Sequence, residues 1–348
     1  MDETHEQVDG SAEGAPLDGD LDEALTVAVA GATGFVGRHV VAALVRRGHL
    51  VRALVRDSAK ASRAFAGVAD ASRIVPVQAD SISTESASRL VDGADACVNC
   101  IGIIREEHGQ RFEALHVGAV RALVAACEHN DVFERFVQIS ATGVSPDGRA
   151  VYQRTKYEGE RVIRRSTLPW TILRPSAVLG EGGELMGMLR DWAKGSAPPF
   201  LFMPYFTRRS DGAWNVLPGE TADPLVAPVQ VTDLARAVAD ALELGETVGE
   251  VYNVCGDETV SWPELLTFVR DRTPGAKPTI RPAGIPAPPA AIAAQVASIV
   301  GLGGLLPFDA GMASMASEDA AANTDKFDAH FGFTPGSFRA LFPETAGA

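Results

Sequence analysis

Residues 25–48 read LTVAVAGATGFVGRHVVAALVRRG, and the reading of this stretch decides the fold. Leu25 to Gly31 is a short continuous apolar run, the pattern of a strand buried on both faces. From Phe35 apolar residues recur at helical spacing until Gly48 stops them, which describes an amphipathic helix. Between the two elements stand Gly31, Gly34 and Gly37 at three-residue spacing. In a strand–turn–helix setting the first glycine permits the tight turn and the second lets the backbone approach a pyrophosphate. The third lets the helix lie close to the sheet, and the helix N-terminus turns N–H groups and positive dipole toward phosphate. Gly31, Thr33, Gly34, Phe35, Val36 and Gly37 are therefore candidate cofactor contacts. The competing reading is a tight strand–helix turn with no ligand.

Working outward, the alternation continues. LVRALVR, SRIVPVQAD, ADACVNCIG, RFVQIS and WTILRPS read as further strands, and SASRLVDG, RFEALHVGAVRALVAACEHN and AVYQRTKYEGERVIRR as the helices between them. Apolar strands separated by helices predict a parallel sheet covered on both faces, with ligands outside its carboxyl ends. The expected class is α/β, a Rossmann-type doubly wound parallel sheet with a smaller C-terminal α/β substrate-side region. The expected division is an acidic disordered tail over 1–24, a nucleotide-binding core over 25–180, and a substrate-side region over 181–348 within the same unit. In that last region PPFLFMPYF is aromatic and proline-punctuated, RRSDGAWNVLPGETADP is turn-rich, and VTDLARAVADALEL, EVYNV and SWPELLTFVRDR read as helix, strand and helix. Ser261 and Glu264 form a capping box for the last.

The formal net charge is −14 over 348 residues, yet nine of the acids lie in the first 25, which hold no Lys or Arg; the remainder carries −5. With no hydrophobic periodicity the tail is expected to be disordered. It shows neither the basic start nor the apolar stretch of a signal peptide. No basic stripe is present to neutralise phosphates, so nucleic-acid binding is disfavoured. Cys97 and Cys100 fall at i and i+3 of a strand, where side chains take opposite faces, so they are expected as core residues and not as a metal or redox pair. The usage of Cys97, Cys100, Cys127 and Cys255 fits a reducing compartment, and the expected location is cytoplasmic, with a peripheral place at a membrane as the variant. In residues 284–308, GIPAPPAAIAAQVASIVGLGGLLPF, the apolar part from Ala290 approaches the roughly 20 residues that span a bilayer. Gly301, Gly303 and Gly304 interrupt them, so a packed or surface-lying helix is expected, with contact to a membrane surface or respiratory complex as the second reading.

Cofactor choice is read at the end of the second strand, where an acid holds the ribose 2′-hydroxyl of NAD. Here Val55 is followed by Arg56, which would hold a 2′-hydroxyl poorly and welcome a 2′-phosphate. The expectation is NADP(H) in preference to NAD(H), against the reading of Arg56 as a solvated strand end. Asp80 closes the third strand, either as acceptor for the adenine amino group or as a helix cap. Gly102, after the fourth, is a further candidate cofactor contact.

Ser140, Tyr152 and Lys156 stand in ISATGVSPDGRAVYQRTK. On a helix, positions i and i+4 share a face, so the lysine lies beside the tyrosine. A nearby cation would lower the phenol from about 10 toward neutrality. Tyr152 could then exchange a proton with the oxygen of a substrate whose carbon exchanges hydride with nicotinamide. Lys156 could hold the nicotinamide ribose, and Ser140 polarise the carbonyl.

These residues, together with AGATGFVGRHVV, LVRALVRD, VNCIG, QISATG, TILRPSAVLG and PVQVTDLARAV in that order, resemble an extended or atypical short-chain dehydrogenase/reductase. Through VNCIGIIRE, FEALHVGAVRALVAAC, WTILRPSAVLG, GEVYNVCGDETVSWPELL and HFGFTPGSF the chain is similar, more narrowly, to the NAD(P)H-binding accessory subunit of respiratory complex I and its bacterial homologues. The wider resemblance implies the same three roles for Ser140, Tyr152 and Lys156. The narrower one implies cofactor binding with low or no turnover, in a respiratory or quinone-related assembly. Active extended members carry Asn where this chain has His116, so either His116 relays protons or it is a satisfied interior histidine. Arg174 and the pair Arg208–Arg209 are read either as contacts for an anionic substrate or as partners within the fold.

Overall fold

The computed structural model describes residues 24–107, 109–130, 133–217, 219–299 and 308–342. The acidic stretch 1–23, and residues 300–307 of the apolar segment, lie outside the described residues.

Six strands come from the first half: β1 (Thr26–Ala30), β2 (Leu50–Val55), β3 (Ile74–Gln78), β4 (Ala96–Asn99), β5 (Arg135–Ile139) and β6 (Trp170–Pro175). A seventh, Glu250–Val254, arrives from the second half and pairs with β6. The order across the sheet is 250–254, β6, β5, β4, β1, β2, β3, with every pairing parallel. Sequence order reverses between β1 and β4. There the two chains leave the sheet in opposite directions and open a crevice at the carboxyl ends.

Helices cover both faces, as the apolar strands require. α1 (Phe35–Arg46) and α7 (Val231–Glu243) pack on one face, where Val27, Val29, Leu44, Val98, Leu234 and Val238 are buried. α3 (Thr84–Val91), α4 (Ala119–Glu128) and α5 (Val151–Arg164) cover the other, around Ala28, Leu90, Leu123, Phe136 and Ile163. Each fully buried Val, Leu, Ile or Phe contributes about 1.5–3 kcal/mol by leaving water. Cys97 packs on the second face with Cys127, and Cys100 against the first, so strand alternation separates the two sulfurs.

Two elements differ from their sequence reading. β3 is not buried on both faces: it is the edge strand, Val75 is 38% exposed, and Pro76 sits where a missing N–H costs little. The long helix expected over 111–130 opens with a π-helical turn, Glu113–Gly118, before α4 begins. The turn brings the His116 carbonyl against α5 at Gly159, where a Cβ would stand 2.2 Å from that oxygen. Gly159→Ala must therefore push the two helices apart, and is expected to destabilise by about 1–3 kcal/mol, read as a lowered thermal midpoint.

The second half adds a small core of its own. Phe202–Arg209 pairs in parallel with Arg281–Pro286, and α6 (Glu184–Lys194) and α8 (Trp262–Arg272) pack Met186, Leu189, Leu265, Leu266 and Val269 around Met203. The aromatic FLFMPYF stretch is thus largely strand, with Met203 and Phe206 buried. Glu264 accepts the Ser261 N–H at the start of α8. The apolar segment after 286 begins as a helix, Ala287–Ile299, with Ala287, Ala290 and Ala294 buried while Ile292 and Val296 are exposed. Among the described residues no helix is long and apolar enough to cross a membrane.

Candidate dinucleotide and proton-transfer site

The glycine turn lies at the β1/β4 crevice. Gly31 has φ +78°, and a Cβ on it would stand 2.9 Å from the Cys100 carbonyl carbon. A Cβ on Gly37 would stand 2.1 Å from the Gly31 oxygen, so α1 is pressed onto the turn. Gly34 differs. It is exposed, it is the N-cap of α1, and its Cβ would meet just the Gly31 oxygen, at 3.2 Å. Neither a side-chain cap nor a first-turn acid occupies the start of α1, so its orphan N–H groups suit an anion. Thr33, Phe35 and Val36 are half-buried around this turn. Sequence reasoning missed what lies across it: the Phe35 ring fills the space beside Gly180 and Gly183, and Arg38 donates to the Glu181 carbonyl at 2.9 Å.

At the end of β2, Val55 is buried and Arg56 exposed. The next residue, Asp57, caps α2 (Ser58–Phe65); its carboxylate accepts the N–H groups of Ala59 at 2.8 Å and Lys60 at 3.0 Å. Asp80 is exposed after β3 and is not the cap of α3. Ser83 and Ser86 form that capping box, which leaves the adenine-side reading of Asp80 standing.

Tyr152 and Lys156 share a face of α5. The tyrosine ring is half-buried and edge-on to His116 (5.3 Å) and Phe112 (5.9 Å). Lys156 is buried and donates to the Ile139 carbonyl at 3.1 Å; its Nζ lies 3.1 Å from where a Cβ at Gly102 would stand, so this glycine opens the loop after β4 to the amine. The electrostatics differ from expectation. Burial pushes the Tyr152 phenol up to about 12, and no lowering by the lysine accompanies it. Burial also pulls Lys156 down to about 8, against the opposing pull of Glu160 and Cys100. Desolvation here outweighs the proximity effect that helical spacing suggests.

Ser140 does not join the pair. Its Oγ donates to the buried Glu160 carboxylate at 2.6 Å, so the polarising role expected of it has no support in this arrangement. Arg174 donates to the same carboxylate through Nε at 2.8 Å and Nη2 at 2.6 Å, an internal partner and not an anion contact. His116 is a satisfied interior histidine. Its Nε2 faces the Ile103 N–H at 3.4 Å and its Nδ1 lies 3.0 Å from Thr155 Oγ1, whose hydrogen goes to the Val151 carbonyl. This network assigns the ring hydrogen to Nδ1. Burial and the nearby Lys156 push the ring down to about 3, which keeps it neutral and unsuited to relaying protons. Beyond the start of α5, a cleft of about 170 Å³ is lined by residues including Arg149, Arg208, Arg209 and Trp214; Arg208 pairs with Asp319 and Arg209 with Asp211.

Lys156 carries a stability signature. Its folded pKa lies below the ordinary 10.5, so between about pH 8 and 10.5 the unfolded chain binds a proton that the native one does not. Stability from this group therefore rises with pH through that window, and is lowered below it. Lys156→Met is expected to stabilise the protein at pH 7 by about 1–3 kcal/mol and to flatten this rise, while weakening dinucleotide binding. Denaturant melts at pH 7 and 10 check it; a destabilised variant at pH 7 would refute it.

The sequence family described as NAD(P)H-binding matches residues 31–190. Over 249 residues the chain is 26% identical to a Dictyostelium discoideum protein, NADH dehydrogenase [ubiquinone] 1 alpha subcomplex subunit 9, mitochondrial, covering 72% of this chain and 64% of that one. It is likewise 26% identical over 244 residues to the Neurospora crassa NADH-ubiquinone oxidoreductase 40 kDa subunit, covering 70% and 59%. The matches thus span about three fifths of these relatives' length. In fold it is similar to UDP-glucuronic acid 4-epimerase from Bacillus cereus, solved with UDP-glucuronic acid and NAD, at TM-score 0.63 and 17% identity over 89% of this chain and 94% of that one. Two other similar solved complexes also hold NAD, which overturns the expected preference for NADP(H). The physical reason is local: an exposed guanidinium at 56 does not exclude a 2′-hydroxyl, and the Asp57 carboxylate stands next to it. Residues 31–190 thus match an NAD(P)H-binding family on a Rossmann-type parallel sheet, and the chain is distantly related to these mitochondrial NADH dehydrogenase subunits.

Proposed function

We propose that the protein binds NAD(H) across the β1/β4 crevice and carries out oxidoreductase or epimerase-type chemistry with Tyr152 as the proton-transfer group. The observation that supports it most is the placement of Tyr152 and Lys156 on one face of α5, with the lysine amine directed at the loop opened by Gly102. In this reading Gly31, Thr33, Gly34, Phe35, Val36 and Gly37 seat the pyrophosphate, Asp80 accepts from adenine, and Lys156 holds the nicotinamide ribose. Residues 25–180 form the nucleotide half and 181–348 the substrate side. The bound dinucleotide supplies or accepts the hydride at carbon. Tyr152, neutral at physiological pH with its phenol near 12, gives its proton to the carbonyl oxygen as that carbon is reduced. A neutral phenol favours the reducing direction over alcohol oxidation.

The second reading is a dinucleotide-binding role with little turnover beside a respiratory assembly. Its support is the likeness to the mitochondrial subunits, with Ser140 and His116 both engaged inside the fold. One experiment separates the two: nucleotide carried through purification is identified, NADH affinity is measured, and deuteride transfer from labelled NADH to UDP-glucuronic acid-derived ketones and simple ketones is followed. Binding with transfer supports the first reading, and binding without transfer the second. Absence of binding removes both.

A further inference from the structure

We propose that Glu160 is a positioning residue for Lys156, acting through Ser140 and Arg174 on the strand ends that carry the lysine's acceptor. The inference rests on the reading of Lys156 as the ribose-holding group. The Glu160 side chain is wholly buried, and its two oxygens accept from Ser140 Oγ (2.6 Å), Arg174 Nε (2.8 Å), Arg174 Nη2 (2.6 Å) and Arg164 Nη2 (2.6 Å). A buried carboxylate is tolerated when it is paired and hydrogen-bonded, and removing a partner leaves the others uncompensated.

Geometry makes this more than internal glue. Ser140 directly follows Ile139, whose carbonyl takes the Lys156 amine. Arg174 lies on β6, the neighbour of β5. Glu160 stands one helical turn beyond Lys156 on α5, so one carboxylate pins the helix to two strand ends beside the lysine's acceptor. The other groups facing the amine are Cys100 after β4 and His116 on the π-helical turn, while Tyr152 stands one turn earlier on α5. Among these, Glu160 carries the negative charge, and it opposes the loss of the lysine's proton on burial. Ser140 is thus a strut in this network.

The test uses full-length protein labelled with [ε-13C]lysine, whose five lysines are followed by NMR across pH 6–11, Lys156 being assigned by its loss in Lys156→Met. Glu160→Gln is expected to lower the Lys156 midpoint by about one pH unit, and Ser140→Ala by less. NADH affinity measured on the same samples is expected to fall 5–50-fold in Glu160→Gln. An unchanged midpoint in folded Glu160→Gln overturns the proposal. Should that variant fail to fold, Ser140→Ala decides, and an unchanged midpoint there overturns it equally. If wild type binds no NADH, the dinucleotide reading falls, while the lysine midpoint still decides whether Glu160 positions the amine.

Discussion

Tyr152→Phe is expected to lower hydride transfer about 10²–10⁴-fold while leaving NADH affinity within a few-fold of wild type. The substitution removes one oxygen and keeps the ring, which retains its edge-on contacts with His116 and Phe112, so the thermal midpoint should barely move. The phenol near 12 stays protonated through the working range, so its own titration leaves no inflection there. The alkaline fall in reduction rate should instead begin near pH 8, where Lys156 loses its proton, and should be absent from Lys156→Met. Stopped-flow measurement of NADH oxidation, with melts on the same samples, checks both statements. Equal rates in wild type and Tyr152→Phe would leave no role for the phenol.

Gly37→Ala should abolish detectable NADH binding and destabilise the fold by about 2–3 kcal/mol or more. Its Cβ would stand 2.1 Å from the Gly31 carbonyl oxygen, a backbone atom held between β1 and β4 that cannot move without lifting α1 from the sheet. Gly34→Ala is the control. There a Cβ meets the same oxygen at 3.2 Å, so the protein should fold with a nearly normal midpoint and bind NADH at least tenfold more weakly. Calorimetric melts and NADH fluorescence titrations separate the outcomes. Wild-type affinity in Gly34→Ala would mean that no phosphate approaches this turn.

Much of the fold was legible because the decisive signals are local. Gly37 is required by the Gly31 oxygen within the same short turn and Gly31 by its own positive φ, and strand alternation separated Cys97 from Cys100 without any knowledge of what lay on either side. β3 misled because an apolar run carries no mark of whether a neighbour strand follows it. Its place at the sheet edge depends on where β1 and β2 lie. The helix expected over 111–130 misled because the π-helical turn answers to Gly159, more than forty residues away.

The candidate site divides along the same line. By itself the sequence determined the strand–turn–helix, the parallel doubly wound sheet, and the pairing of Tyr152 with Lys156 on one helix face, because chirality, hydrophobic period and helical pitch act over a few residues. Only the tertiary structure decided which way Ser140 points, that His116 is neutral and satisfied, and that burial, not the neighbouring lysine, governs the Tyr152 phenol. Those properties depend on desolvation and on partners brought from β5, β6 and the π-helical turn, and such terms exist only once distant segments have packed together.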